Sequence, residues 1–410
     1  MVSEKDMGNK GSKLTILLIW GYQRKGWILP FEKLKEEFNF VYLHYVSPEQ
    51  ETDCFTQQKR IYWQKFTDAY QLLEEVKPSK IVFMSIFNGL DIALNIAAKN
   101  KGIKTFILQH GMFTTYADYR AREVKYKNIS EVKQDLESGV PAPLTFSSFA
   151  FLKKTLKWSD YLGLSKYPFY YYLLKKESQL YAAKHIRFKG RMPDKYICYT
   201  PKSAIIHFEI DKAAPQDVFY IGNPEFDTFL QTWDSLQPIN EEYYLHVDQA
   251  FAGSRFGERM VTKEEMISFW FKLNAFCMNK NARLKIKLHP ENFKSDWLPT
   301  HPNIDWIKES NEIERLIKSS KGCFGFFSTL IIPAVYFKKT ILFKLSDSEI
   351  QNDMLKMGMI RLLDFSKFNS EDIEFDSFVK KQDDLNVFEK NYFYKIDGKS
   401  LERLSCILRK

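Results

Sequence analysis

The sequence predicts an α/β protein of two doubly wound domains facing a cleft, with a helical, basic and aromatic insertion in the first domain. Three observations predict it. At 410 residues the chain exceeds one ordinary core and suits two of about 150–200 residues each. Short apolar runs alternate with helix-period segments, the pattern of βαβ units on a parallel sheet. That alternation stops near residue 109 and later resumes, so it is carried twice. Hydrophobic residues make up 45% of the chain, enough to fill two cores and to exclude wholesale disorder.

The first unit opens with Leu14–Trp20, an apolar run interrupted only by Thr15, which reads as a buried parallel strand. Phe40–Val46, broken by His44, reads as a second strand. Phe55–Val76 carries helical periodicity, Lys80–Ser85 reads as a strand, Asn88–Lys101 as a helix and Ile103–Leu108 as a fourth strand. From about 110 to 191 there is no strand signal, which suggests loop followed by helices. Strand-like runs return at Tyr196–Thr200, Ala204–Phe208 and Val218–Ile221, followed by the turn cluster Gly222-Asn223-Pro224 and then Glu225-Phe226-Asp227.

Thr232 to Asn240 reads as a linker. Beyond it, Tyr243–Val247, Leu284–Leu288, Asn303–Trp306, Gly322–Phe327 and Thr340–Lys344 read as strands. Thr262–Asn279 and Glu312–Ser319 read as helices, the former with Thr262 as N-cap and Glu264 and Glu265 in its first turn. The expected division is 1–235, 236–385 and a helical tail at 386–410. Open parallel sheets bind ligands at their C-terminal strand ends, so two such domains face a cleft there.

The chain has 60 Lys+Arg against 51 Asp+Glu, a net +9. Between residues 141 and 191 stand ten Lys/Arg and two acids, so an excess of eight lies in this one segment with twelve aromatic residues. Lysine interleaved with Tyr, Phe and Trp suits a membrane surface. Single-stranded nucleic acid also binds such surfaces, and a helical excursion with solvated lysines has the same composition. The five cysteines are scattered without a CxxC pair, as in a cytoplasmic chain without disulfides or a zinc site. The first apolar run is too short for a signal peptide, and no run of about 18 apolar residues spans a membrane.

Several short motifs could carry chemistry. Gln109-His110-Gly111 follows the fourth run, where His110 could accept a proton; a turn histidine bonding its own backbone would look the same. Lys287-Leu288-His289-Pro290 ends a strand, because Pro290 stops the ladder. His289 there could hold a phosphate or stand in a solvated loop. Ser328 and Thr329 follow an apolar strand and open a helix, an anion site or a plain N-cap. Arg255 lies in a small-residue loop that could reach a phosphate. Neither GxGxxG nor GxxxxGK[ST] is present, so standard dinucleotide and P-loop readings lack support. No D-x-D pair is present to hold a metal-bound diphosphate.

In order, QHG, GNPEFD, KLHP and FST resemble the GT-B glycosyltransferase superfamily, as does the terminal Asp397-Gly398-Lys399-Ser400 leading into Arg403. The likeness is nearest to bacterial capsule and lipopolysaccharide enzymes, which include sialyl- and Kdo-transferases and teichoic-acid glycerophosphotransferases. It runs from about Leu14 to Ile407.

The resemblance implies an acceptor-binding first domain and a nucleotide-sugar-binding second domain. His289 and Pro290, with Ser328 and Thr329, match the positions that bind the donor phosphate, and Lys287 and Arg255 are further candidates. His110 matches the histidine proposed as general base in the glycerophosphotransferases. The acidic triplet of the sialyltransferases is absent, and Asp118 is the reserve base. The implied reaction moves a sugar from a CMP- or other cytidine-activated donor, such as a nonulosonic acid or Kdo, to an envelope glycan or lipid-linked acceptor. No metal and no cofactor beyond that co-substrate is implied. Lys153, Lys154, Lys157, Trp158, Lys175 and Lys176 would meet the acceptor or the cytoplasmic face of the inner membrane, rather than nucleic acid. Two alternatives are a non-hydrolysing nucleotide-sugar 2-epimerase of the same fold and a non-catalytic adaptor for membrane or nucleic acid.

Overall fold

The computed structural model describes residues 13–22, 25–45, 48–51, 54–109, 115–117, 148–253, 255–256, 259–308, 312–375 and 379–410. The first sheet holds β1 (Leu14–Ile19), β2 (Phe38–His44), β3 (Lys59–Tyr62), β4 (Lys80–Phe83), β5 (Lys104–Leu108), β6 (Lys195–Cys198) and β7 (Val218–Tyr220). Their order is β3-β2-β1-β4-β5-β6-β7, all parallel. β1 sits centrally because Ile16–Ile19 are buried on both faces. Its register sets Leu17 against Val41 and Ile81.

Helices α1 (Lys25–Lys33), α2 (Ala69–Val76) and α3 (Gly89–Asn100) come from the crossovers, and α4 (Ser148–Thr155), α5 (Tyr167–Lys176) and α6 (Gln179–His185) from the insertion. They are followed by α7 (Pro201–Ile210) and α8 (Asp227–Thr232). Asn88 starts α3 by accepting hydrogen bonds from the Leu90 and Asp91 N–H groups at 2.9 and 3.0 Å.

The second sheet holds β8 (Tyr243–Val247), β11 (Arg283–Lys287), β12 (Ile304–Ile307), β13 (Cys323–Gly325), β14 (Thr340–Lys344) and β15 (Arg361–Asp364). A small hairpin, β9 (Arg255–Phe256) with β10 (Arg259–Met260), stands apart from it. The order is β12-β11-β8-β13-β14-β15, again parallel. One face packs on α9 (Lys263–Asn279), and the other on α10 (Ile313–Ser319), α11 (Ile331–Phe337), α12 (Glu349–Lys356) and α13 (Gln382–Tyr392).

The tail crosses back. Helix α14 (Ser400–Arg409) places Leu404 and Leu408 in the first domain's core with Ile16, Leu18 and Phe31. Asp227 caps it, accepting from the Ser400 N–H at 3.1 Å, the Ser400 hydroxyl at 2.7 Å and the Leu401 N–H at 3.1 Å. Gly398 has φ +62°, and a Cβ there would lie 2.6 Å from Gln231 Cγ. Arg403 Nε donates to the Ile221 carbonyl at 2.7 Å, and its guanidinium pairs with Asp397. GNPEFD and the terminal DGKS are therefore two halves of one joint.

Three expectations need correction. Ala204–Phe208 is not a strand but the interior of α7, which Thr200 caps and Pro201 opens. The single helix expected over Phe55–Val76 contains edge strand β3 and a 3-10 turn before α2 begins. Helix α11 starts at Ile331, so Ser328 and Thr329 lie in the turn before it.

The two sheets meet at their C-terminal edges. Lys202, in the first turn of α7 after β6, pairs with Asp353 on α12, which follows β14. Beside this pair lies a cavity of about 450 Å³, lined by Thr115, Ile205, Glu349 and Asn352 among others.

Candidate functional site

On the second sheet, β11 and β13 flank β8, and because all three are parallel their C-terminal ends share one edge. His289 and Pro290 follow β11. Pro290 opens a 3-10 turn through Asn292, and His289 Nδ1 accepts weakly from the Glu291 N–H at 3.4 Å. Ser328 and Thr329 follow β13. The Ser328 hydroxyl oxygen is buried without a hydrogen-bond partner among the described residues. The Ser328 and Thr329 carbonyls accept from Ile331 and Ile332 at 3.3 and 3.2 Å, closing the turn into α11.

The fold brings His289 and Ser328 to strand ends one strand apart, but it gives Lys287 other work. The Lys287 ammonium donates to the Leu288 and Lys308 carbonyls at 2.9 and 2.8 Å and lies over the Phe293 ring. Lys285 shares its face, as the alternation predicts, and pairs with Glu241 at 2.5 Å. Arg255 lies in the β9–β10 hairpin, and its side chain is outside the described residues.

On the first sheet, Gln109 follows β5 and is fully buried. Its N–H donates to Ile197 at 2.9 Å and its Oε1 accepts from the Tyr199 N–H at 3.0 Å. Gln109 thus ties the ends of β5 and β6 together where the chain enters His110. His110 and Asp118 themselves lie outside the described residues.

Sequence reasoning missed two carboxyls at this edge. Asp91, in the first turn of α3, accepts from the Tyr45 hydroxyl, which also takes a bond from Asn88 Nδ2 at 3.2 Å. Burial pushes its carboxyl up to about 7, against the opposing pull of the Tyr45 and backbone hydrogen bonds. Its signal was an acid on the inward face of an apolar helix. Glu225, inside GNPEFD, reaches solvent but is hemmed in, with its carboxylate 3.2 Å from where a Cβ on Gly26 would stand. Loss of water there raises it above the usual carboxylate range.

The insertion divides its aromatic residues. Phe151, Tyr167, Tyr170 and Phe188 are buried in the first core. Trp158 is 90% exposed and Leu162 89%, and Phe169 and Tyr172 are also exposed. Lys153, Lys154, Lys157, Lys175 and Lys176 are all exposed, with Lys157 over the Tyr70 ring and Lys176 over Tyr172. Arg191 is different, because it is buried in an ion pair with Asp211. Burial works to raise the Asp211 carboxyl, but Arg191 and His207 outweigh it and hold it below its ordinary value. Among the described residues no helix is long and apolar enough to cross a membrane.

These two facing sheets define the GT-B class of glycosyltransferase architecture. The chain aligns with the glycosyltransferase of kitacinnamycin (TM-score 0.51, 12% identity, covering 97% of this chain and 98% of that one). CalG4, the calicheamicin glycosyltransferase, aligns with TM-score 0.50 and 13% identity over 97% of each chain. A Listeria monocytogenes protein assigned as a UDP-N-acetylglucosamine 2-epimerase shares the fold at TM-score 0.51 and 12% identity, covering 97% of this chain and 96% of its own. No curated protein matches the chain by sequence. The alpha-2,8-polysialyltransferase family profile matches residues 55–346, well over half of the chain. The chain belongs to that family and is a nucleotide-sugar-dependent glycosyltransferase.

Proposed function

We propose that the protein transfers a nonulosonic acid from a CMP-activated donor to an envelope glycan or lipid-linked acceptor, without a metal. The observation that carries this is the pairing of His289 with the unpartnered Ser328 hydroxyl on strand ends flanking β8. Such a pair suits a phosphate, with an imidazole N–H and a hydroxyl donating to its oxygens.

In the reaction, an acceptor hydroxyl oxygen bonds to the donor's anomeric carbon as the bond from that carbon to the phosphate oxygen breaks. The hydroxyl proton passes to His110, with Asp118 as the second candidate base. The electron pair of the broken bond stays on the departing nucleotide phosphate, where His289 and Ser328 stabilise the growing charge. Facing domains hold donor and acceptor together and limit donor hydrolysis.

The exposed Trp158, Leu162 and Phe169 among lysines support docking on an anionic membrane, which we assign to the cytoplasmic face of the inner membrane. Mixing the purified protein with a CMP-activated sugar and a labelled oligosaccharide acceptor tests the reaction. Transfer that is lost in His289→Ala and Ser328→Ala supports it. Transfer unchanged in both variants, or turnover of UDP-N-acetylglucosamine alone, overturns it.

A further inference from the structure

Asp248 directly follows β8, between the two turns just described, and is 2% exposed. Its N–H donates to the Lys287 carbonyl at 2.9 Å. Its Oδ2 accepts from Asn292 Nδ2 at 2.9 Å. Asn292 is the last residue of the turn that His289 caps, and its own N–H donates to the His289 carbonyl at 2.9 Å. One residue therefore grips His289 by its backbone and Asp248 by its side chain.

On the far side of Asp248 stands His246, fully buried, with Nε2 3.6 Å from Asp248 Oδ1. The His246 ring packs on Phe269 and on Phe326, which is two residues ahead of Ser328. The Asp248–His246 pair thus meets the His289 turn through Asn292 and, through Phe326, the segment that leads into Ser328. Neither ring nitrogen of His246, nor Asp248 Oδ1, has a hydrogen-bond partner among the described residues.

Buried polar groups left this way cost stability, and an apolar pair of similar volume would cost less. What the carboxylate supplies instead is geometry: it fixes the direction of the Asn292 amide and so the seat of His289. We propose that Asp248 is a positioning residue of the donor site, holding the His289–Pro290 turn through Asn292. The inference rests on the reading that His289 and Ser328 receive the donor phosphate.

The test uses the full chain, with CMP binding measured by calorimetry and donor KM and kcat measured separately. Asp248→Ala is expected to weaken CMP binding and raise donor KM about tenfold. Asn292→Asp sets two carboxylates together and should do the same. Adding Asp248→Asn to Asn292→Asp rebuilds the hydrogen bond with donor and acceptor exchanged, and should recover wild-type affinity to within about threefold. The exchange decides the matter even if Asp248→Ala fails to fold. A merely structural role would lower the unfolding midpoint and leave the CMP affinity of the folded variants alone. Folded Asp248 and Asn292 variants that bind CMP like wild type, while His289→Ala does not, overturn this proposal and leave the donor site standing. A wild-type chain that ignores CMP, or His289→Ala that binds it unchanged, overturns the donor site and this proposal with it.

Discussion

Neither Ser328 nor His289 should cost much stability when it is removed. The Ser328 hydroxyl is already unbonded and buried, so Ser328→Ala removes an unsatisfied group and should leave the unfolding midpoint unchanged or higher. His289→Ala should also be nearly neutral for stability. Both should lower kcat/KM with a CMP-activated donor by about 10²–10³, the loss seen when one charge-stabilising donor is removed. A measured drop below threefold in both would remove them from the phosphate site. Asp91 offers a pH test. Its carboxyl sits near 7 in the fold against an ordinary 3.8, so between those values the folded chain keeps a proton that the unfolded chain has lost. Its contribution is full below about pH 4 and is lost as pH rises through about 7. Asp91→Asn should therefore gain stability over wild type on going from pH 5 to pH 8 in denaturant melts, and a constant difference would refute this.

At the scale of elements, the joint between α8 and α14 makes its own prediction. Asp227→Ala removes three hydrogen bonds from the start of α14 and should cost about 1–2 kcal/mol in urea unfolding. Gly398→Ala forces a side chain into a left-handed backbone and against Gln231, and should cost at least as much. Unchanged melts would mean that the tail does not depend on this joint. Most of the sheet was legible because buried parallel strands such as Leu14–Ile19 are apolar on both faces. Two things hid the rest. The run of Ala204, Ile205, Ile206 and Phe208 suits a buried strand or a buried helix equally, and only the cap at Thr200 and Pro201 tells them apart. Lys59–Tyr62 is an edge strand with Lys59 and Arg60 exposed, so it leaves no apolar run to read. In the site, Pro290 after a strand was a readable stop. The bond of Asp248 to Asn292 spans 44 positions and exists only once β8 and β11 lie side by side. The bond of the Lys287 ammonium to the Lys308 carbonyl is hidden for the same reason, since Lys308 follows the neighbouring strand β12.

For the whole molecule, the excess of positive charge and most of the exposed aromatic residues among those described lie on the insertion. Replacing Trp158 and Leu162 together with Ala should weaken binding to phosphatidylglycerol vesicles about tenfold and leave KM for a soluble acceptor unchanged. Equal vesicle binding by variant and wild type would remove the membrane role of this surface. The docking of α14 also bears on how the protein is made. Leu404 and Leu408 belong to the core that holds Ile16 and Leu18, and each buried Leu contributes about 1.5–3 kcal/mol. A chain emerging from the ribosome completes the strands of the first sheet by residue 220, yet its α1 side lacks these side chains until Leu404 and Leu408 are made. At about 5–20 residues per second, that wait is roughly 10–40 s. During it, the apolar surface that will receive α14 stays uncovered, so the first domain is born unfinished and is sealed by a helix made long after its last strand.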